Sequence, residues 1–185
     1  MLHAIEIDDQ RTITDLLKRG FDVNATTKEG DPLLVVASRS AKTATVQTLL
    51  AGRPNVNARN SHGETALMHA ALKGRTDVMK LLLSAGAQVN QPGWTPLMYA
   101  AVNDQSDAAK LLIERGANVN ATAQNGTTAL MMAAREGHLS MVLLLLEHGA
   151  DVNYTSALGY NALNVALDRG RRDVADVLIR AGAHK

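Results

Sequence analysis

The sequence contains no cysteine, which excludes disulfides, iron–sulfur ligation, thiolate nucleophiles and cysteine-based zinc sites. It does not fix the compartment, because a disulfide-free protein can reside on either side of a membrane. Aromatic residues are also scarce: Trp94, Phe21, Tyr99, Tyr154 and Tyr160 are all there are. A core must therefore come from Leu, Val, Ala and Met, which points to packed helices. Neither charge sign dominates. Nineteen Lys and Arg against eighteen Asp and Glu leave a net charge of +1. That argues against non-specific nucleic-acid binding, which needs a basic stripe to displace counterions. Long apolar runs are missing too. The longest strongly apolar one, Met141 to Leu146, falls far short of the roughly 20 residues of a spanning helix, so no membrane insertion is expected. The first residues have no basic flank and turn acidic by Glu6, Asp8 and Asp9, unlike a signal peptide.

What the sequence does have is self-similarity. Val-Asn recurs with Asn at 24, 57, 90, 120 and 153, in steps of 33, 33, 30 and 33 residues. A second landmark follows each: Asp31-Pro32-Leu33, Thr65-Ala66-Leu67, Thr95-Pro96-Leu97, Thr128-Ala129-Leu130 and Asn161-Ala162-Leu163. Asp, Thr and Asn all cap helix N-termini, because their side-chain oxygen accepts a free amide of the first turn. Residues 31, 65, 95, 128 and 161 are read as caps, with Pro32 and Pro96 at the first helical position. Small pairs such as Ala70-Ala71, Ala100-Ala101 and Ala133-Ala134 let a neighbouring helix come close. A turn and a Leu-rich second helix follow, and Gly-Ala closes four units, at 86–87, 116–117, 149–150 and 182–183. One helix pair cannot bury its apolar faces alone, but stacked neighbours can.

The pattern Thr-Pro-Leu-x-x-Ala-Ala, then Leu-Leu-x-x-Gly-Ala-x-Val-Asn, at a period of 33 resembles the ankyrin repeat. The likeness covers essentially the whole chain. It implies an all-α solenoid of about six helix-turn-helix units with β-hairpin-like fingers. The expected single domain spans 1–185, with repeats near 1–26, 27–59, 60–91, 92–122, 123–155 and 156–185. The short finger around Pro92-Gly93-Trp94 is similar to that of bacterial ankyrin proteins, some of them exported. The default compartment is cytoplasmic, or the bacterial periplasm if an upstream signal peptide has been removed.

Several positions depart from the pattern. The His that often follows Thr-Pro-Leu is replaced by Leu34, Met68, Met98, Met131 and Asn164, so its polar link should give way mostly to packing. Repeat two carries extra residues around Ser38 to Lys42, and Arg53-Pro54 replaces Gly-Ala, so it should be the least regular unit. Asp104 stands where a turn glycine is usual. Arg172, Asp173, Asp176 and Arg180 give the last helix a polar outer face, while the first helix reads as shortened or as lacking residues upstream.

No catalytic constellation is visible. His3, His62, His69, His138, His148 and His184 show no helical metal-pair spacing, and no phosphate-binding glycine loop occurs. His62 and His69 are the best placed for ligand contact, but a solvated tip and a packed imidazole are the plainer readings. No cofactor or metal is expected, and the chain is not expected to be an enzyme. The resemblance implies a protein partner on the concave face, formed by finger tips and the exposed side of each first helix. By register the contact residues would be Arg59, His62, Glu64, Lys73, Trp94, Asn103, Asn125, Arg135, Leu158, Tyr160 and Arg169. Trp94 and Tyr160 stand out, since buried aromatics dominate binding energy; each could instead pack against an adjacent finger. The expected function is a monomeric, non-catalytic binding module. The alternatives are a structural or regulatory part of a larger assembly, or a small-ligand binder or enzyme.

Overall fold

A computed structural model of the chain describes residues 1–40 and 42–184. It divides into two compact units, Met1–Gln88 and Val89–Lys185. Twelve helices, and no strand, occur among the described residues. In the first unit they are α1 (Leu2–Glu6), α2 (Gln10–Lys18), α3 (Leu33–Ser40), α4 (Thr43–Ala51), α5 (Ala66–Leu72) and α6 (Thr76–Ser84). In the second they are α7 (Pro96–Val102), α8 (Ser106–Glu114), α9 (Ala129–Glu136), α10 (Leu139–Glu147), α11 (Ala162–Asp168) and α12 (Arg172–Arg180).

None of these helices exceeds nine residues. Isolated helices shorter than roughly 12 residues are marginal in water, so packing must hold them. Each odd-numbered helix pairs with its successor, α1 with α2, α3 with α4 and so on to α11 with α12. Inner helices then stack on inner helices: α1 on α3 and α3 on α5 in the first unit, α7 on α9 and α9 on α11 in the second. Outer helices do the same, α2 with α4 and α4 with α6, then α8 with α10 and α10 with α12. Inner helices α5 and α9 are buried almost all round. Ala66 to Ala71 in α5 and Ala129 to Ala134 in α9 are each an unbroken buried run. The alanine pairs at 70–71, 100–101 and 133–134 are fully covered, as close inner-helix packing requires.

The inner helices start as the cap chemistry predicts, with one correction. Thr65, Thr95, Thr128 and Asn161 each accept the amide three residues on, at 3.4, 3.3, 3.2 and 2.9 Å. In repeat two the expected register is off by one residue. The helix begins at Leu33, and Pro32 occupies the cap position, where its carbonyl receives the Val35 and Val36 amides. The isolated bridges Thr26↔Pro32 and Thr122↔Thr128 show the same equivalence. Proline has no amide to lose at a helix start, so it substitutes there without a side-chain acceptor. Asp31 thereby aligns with Glu64, and its oxygens engage Asn60 Nδ2 at 3.0 Å and Arg39 at 3.6 Å.

The polar link of the missing His, expected to give way mostly to packing, survives in two repeats. The Thr65 amide donates to Met68 Sδ at 3.3 Å, and the Asn161 amide to Asn164 Oδ1 at 3.0 Å. In the first helix pair, Asp9 caps α2 by accepting the Thr12 hydroxyl at 2.6 Å and its amide at 3.1 Å. These bonds, the hydroxyl's above all, lower the pKa of the Asp9 carboxyl.

The Val-Asn landmark is a staple between repeats. Asn57 Oδ1 accepts the Gln88 amide at 2.8 Å, and its Nδ2 donates to the Gly86 carbonyl at 3.1 Å. In the second unit Asn90 does the same to Asn118 and Gly116, Asn120 to Asp151 and Gly149, and Asn153 to His184 and Gly182. Asn24 Oδ1 accepts the Asn55 amide at 2.7 Å. Only a side-chain amide offers both a donor and an acceptor at this reach, which explains why the letter never changes.

The residue just before outer helices α6, α10 and α12 supplies another link. Arg75 reaches the Ala37 and Ser38 carbonyls, His138 Nε2 the Val102 carbonyl at 2.9 Å, and Arg171 Nε the Arg135 carbonyl at 3.3 Å. These side chains satisfy the carbonyls left open at the end of the preceding inner helix. Two of the irregular positions keep the glycine conformation without glycine: Arg53 and Asp104 adopt positive φ, 54° and 52°, and Asp8 does the same at 57° in the turn of the first helix pair. The extra residues expected around Ser38 to Lys42 are a product of the same register slip: with Pro32 as the cap, α3 ends at Ser40 with the eight residues of α9, and α4 begins three residues later, as α10 does after α9; Ala41 lies outside the described residues.

Candidate functional site

The fingers are tight turns held by their own backbone. In the first unit Asn60 is the hub of the finger that precedes α5. Its amide donates to the Glu64 carbonyl at 3.0 Å, and its Oδ1 accepts the amides of His62 and Glu64 at 3.0 and 2.9 Å. Asn60 Nδ2 donates to Glu64 Oε2 at 2.9 Å and to Asp31 of the preceding finger. His69 Nε2 lies 3.1 Å from the same Glu64 oxygen. A carboxylate only accepts, so this bond places the proton of a neutral His69 on Nε2. His69 is 6% exposed, and its Nδ1 has no partner among the described residues. Glu64 and His69 therefore brace the finger base from inside. His62 is at the exposed tip beside Ser61, Arg59 lies over the turn at Gly63, and Lys73 is exposed at the end of α5.

The same backbone bond closes two fingers of the second unit. Ala123 N bonds the Thr127 carbonyl at 2.9 Å, and Ser156 N bonds the Tyr160 carbonyl at 2.8 Å. The two fingers then join: the Ala157 amide donates to the Asn125 carbonyl at 3.2 Å. Close contact at Gly126 makes this possible. Its φ is +77°, and a Cβ there would stand 2.9 Å from Ala157 N and 3.0 Å from Ser156 Cα. The last finger holds out Leu158, 80% exposed, and Tyr160, 45% exposed.

Between these fingers and the inner helices lies a hollow of about 180 Å³. Met131 and Met132 of α9 and Val165 of α11 line it on the helix side, and Leu158, Tyr160, Ser156 and Thr127 on the finger side. Arg135 closes one end, its Nε 2.8 Å from Glu136 Oε1. Of the expected contact residues, the structure gathers Arg135, Leu158 and Tyr160 around one feature. Asn125 lies beside it, its carbonyl bound to the last finger and its Oδ1 to the Thr127 amide at 3.1 Å. Arg169 and Asn103 are exposed at the ends of α11 and α7. Trp94 is 43% exposed and stands edge-on to Tyr99 of its own repeat, with ring centroids 5.4 Å apart. Sequence reasoning missed the Asn60 hub and the helix side of the hollow. The Met pair also belongs to the core: Met131 and Met132 are buried.

A family model described as ankyrin repeats matches the chain in three copies, over residues 1–92, 34–123 and 97–185. The chain belongs to the ankyrin-repeat family. Its all-helical units, paired helices and turn-like fingers are those of an ankyrin solenoid. No curated protein matches the sequence. Ankyrin repeats are generally protein–protein interaction modules, which makes a protein the expected class of partner. Among the described residues no three His, Asp or Glu side chains converge as a metal site would require, and no helix is long and apolar enough to cross a membrane.

Proposed function

We propose that this ankyrin domain is a non-catalytic module that binds a protein through its fingers and the adjoining inner-helix surface. The observation that carries the reading is the display of Trp94, Leu158 and Tyr160, all exposed, on that side of the second unit. Aromatic side chains of this kind dominate interface energies once a partner covers them. Backbone hydrogen bonds hold the finger at 156–160 in one shape, so little ordering entropy is lost on binding. The near-balanced charge favours a protein partner over nucleic acid.

A paired capture from the source lysate tests the reading. One bait is the unaltered chain; the other carries Trp94→Ala and Tyr160→Ala, both checked for folding by circular dichroism. The expected result is a protein held by the first and lost by the second. Equal retention by both contradicts it. A second reading, docking through the outer helices within a larger assembly, draws on Leu143 of α10 and Ile179 of α12, which are also exposed. It predicts loss of the partner with Leu143→Lys and Ile179→Lys instead.

A further inference from the structure

We propose that the hollow of the second unit receives one apolar side chain, of leucine, methionine or phenylalanine size, from an uncharged segment of the partner protein. The proposal rests on the interaction reading above and names the chemistry that the segment must have.

Size is the first argument. An apolar cavity of roughly 150 Å³ accommodates a benzene ring. The hollow, at about 180 Å³, matches one ring or one branched butyl group and is too small for two. Lining is the second. Met131, Met132 and Val165 offer the inserted group an apolar surface, and methionine adapts its shape to either type of group.

Charge is the third argument, and it selects the context of the anchor. Residues 117–134 and 152–167, which contain both fingers and most of both inner helices, include no Asp, Glu, Lys, Arg or His. The one charged residue that lines the hollow, Arg135, is already matched by Glu136. A charged partner residue laid on this surface would lose its water and find no counter-ion, a cost that favours uncharged residues. The hydroxyls of Thr127 and Ser156 remain at the rim as uncharged polar groups. A neutral segment with one apolar anchor is thus the complementary partner.

The test selects short random peptides displayed on phage against the full chain, then measures affinities by fluorescence anisotropy. The selected peptides should share one Leu, Met or Phe flanked by uncharged residues. Val165→Phe, which fills the hollow, should weaken them at least about tenfold, the loss expected when one side chain is no longer buried. Leu158→Asp should do the same, and because Leu158 is so exposed this variant folds whatever Val165→Phe does. Lys110→Glu on outer helix α8 should change nothing, and added salt should have little effect. Charged peptides whose binding is lost in Arg59→Glu overturn the proposal but leave the interaction reading standing. Peptides insensitive to every finger substitution, or none at all, overturn both. Self-association of the chain abolished by Leu158→Asp assigns the hollow to a second copy and overturns the proposal as stated.

Discussion

The fingers of the two units share one backbone plan and differ in what they carry. In the first unit the residue after each finger glycine is acidic, Asp31 or Glu64, and it is bonded inward to Asn60. In the second unit the same position holds Trp94, Thr127 and Tyr160. Four residues into the inner helix the contrast repeats. His69 of α5 pairs with Glu64, whereas Met132 and Val165 of α9 and α11 line a hollow. Polar side chains in the first unit are used within the finger, to hold its base. In the second unit a direct backbone bond between fingers does that work, and the side chains are left to face outward. The comparison shows how a repeat frame separates holding from recognition.

The largest expected effect sets equivalent glycines against each other. Gly126 and Gly63 share a φ of +77°, so valine is strained at both. At Gly126 the new Cβ also meets the backbone of Ser156 and Ala157, whereas at Gly63 the nearest atom is the Arg59 guanidinium at 4.0 Å. Gly126→Val should cost about 2–4 kcal/mol, more than strain alone. Gly63→Val should cost about 1–2 kcal/mol, the strain of a left-handed residue. Urea unfolding measures both, and equal losses would break the contrast.

The staples should be equivalent in the two units. Asn57→Ala and Asn120→Ala each remove one donated and one accepted hydrogen bond, worth about 1–2 kcal/mol together. A large difference in urea midpoint between these two variants would show that the fingers are not the only place where the units diverge. By contrast, Leu158→Ala should alter stability by less than about 0.5 kcal/mol, since its side chain is mostly in water. A larger loss would mean that the tip holds the fold together instead of presenting a surface.

The smallest effect lies at the first helix pair and has a definite sign. Asp9 accepts two bonds from Thr12, so its folded pKa lies below the ordinary aspartate value of 3.8. Because the pKa is depressed, the cap contributes above the unfolded pKa and is lost as pH falls through the folded one. The Thr12 amide signal in an NMR titration should move with a midpoint below 3.8, and Asp9→Asn should abolish that movement. A midpoint at or above 3.8 would contradict the cap.

Much of the fold was legible because its signals are local and repeated. A cap, a small pair, a turn glycine and an asparagine each act over a few residues, so periodicity alone exposes them. The register slip at Asp31-Pro32 arose because aspartate is a good cap and proline a good first residue, and only the bridge to Thr26 shows otherwise. The bond from the Thr65 amide to Met68 depends on a rotamer, which the sequence does not reveal. The hollow was not legible for another reason. Met131, Met132 and Val165 follow the pattern of core residues, and only the spacing between two fingers decides that they also border open space. Trp94 and Tyr160 were visible as out-of-place aromatics, but the edge-on contact with Tyr99 was not.

The most direct test of the account is hydrogen exchange on the chain with and without its captured partner. Protection should rise in residues 123–127 and 156–160, the two fingers that border the hollow, and stay unchanged in residues 59–64. Protection confined to residues 59–64, or to outer helices α10 and α12, would contradict the assignment of recognition to the second unit's fingers.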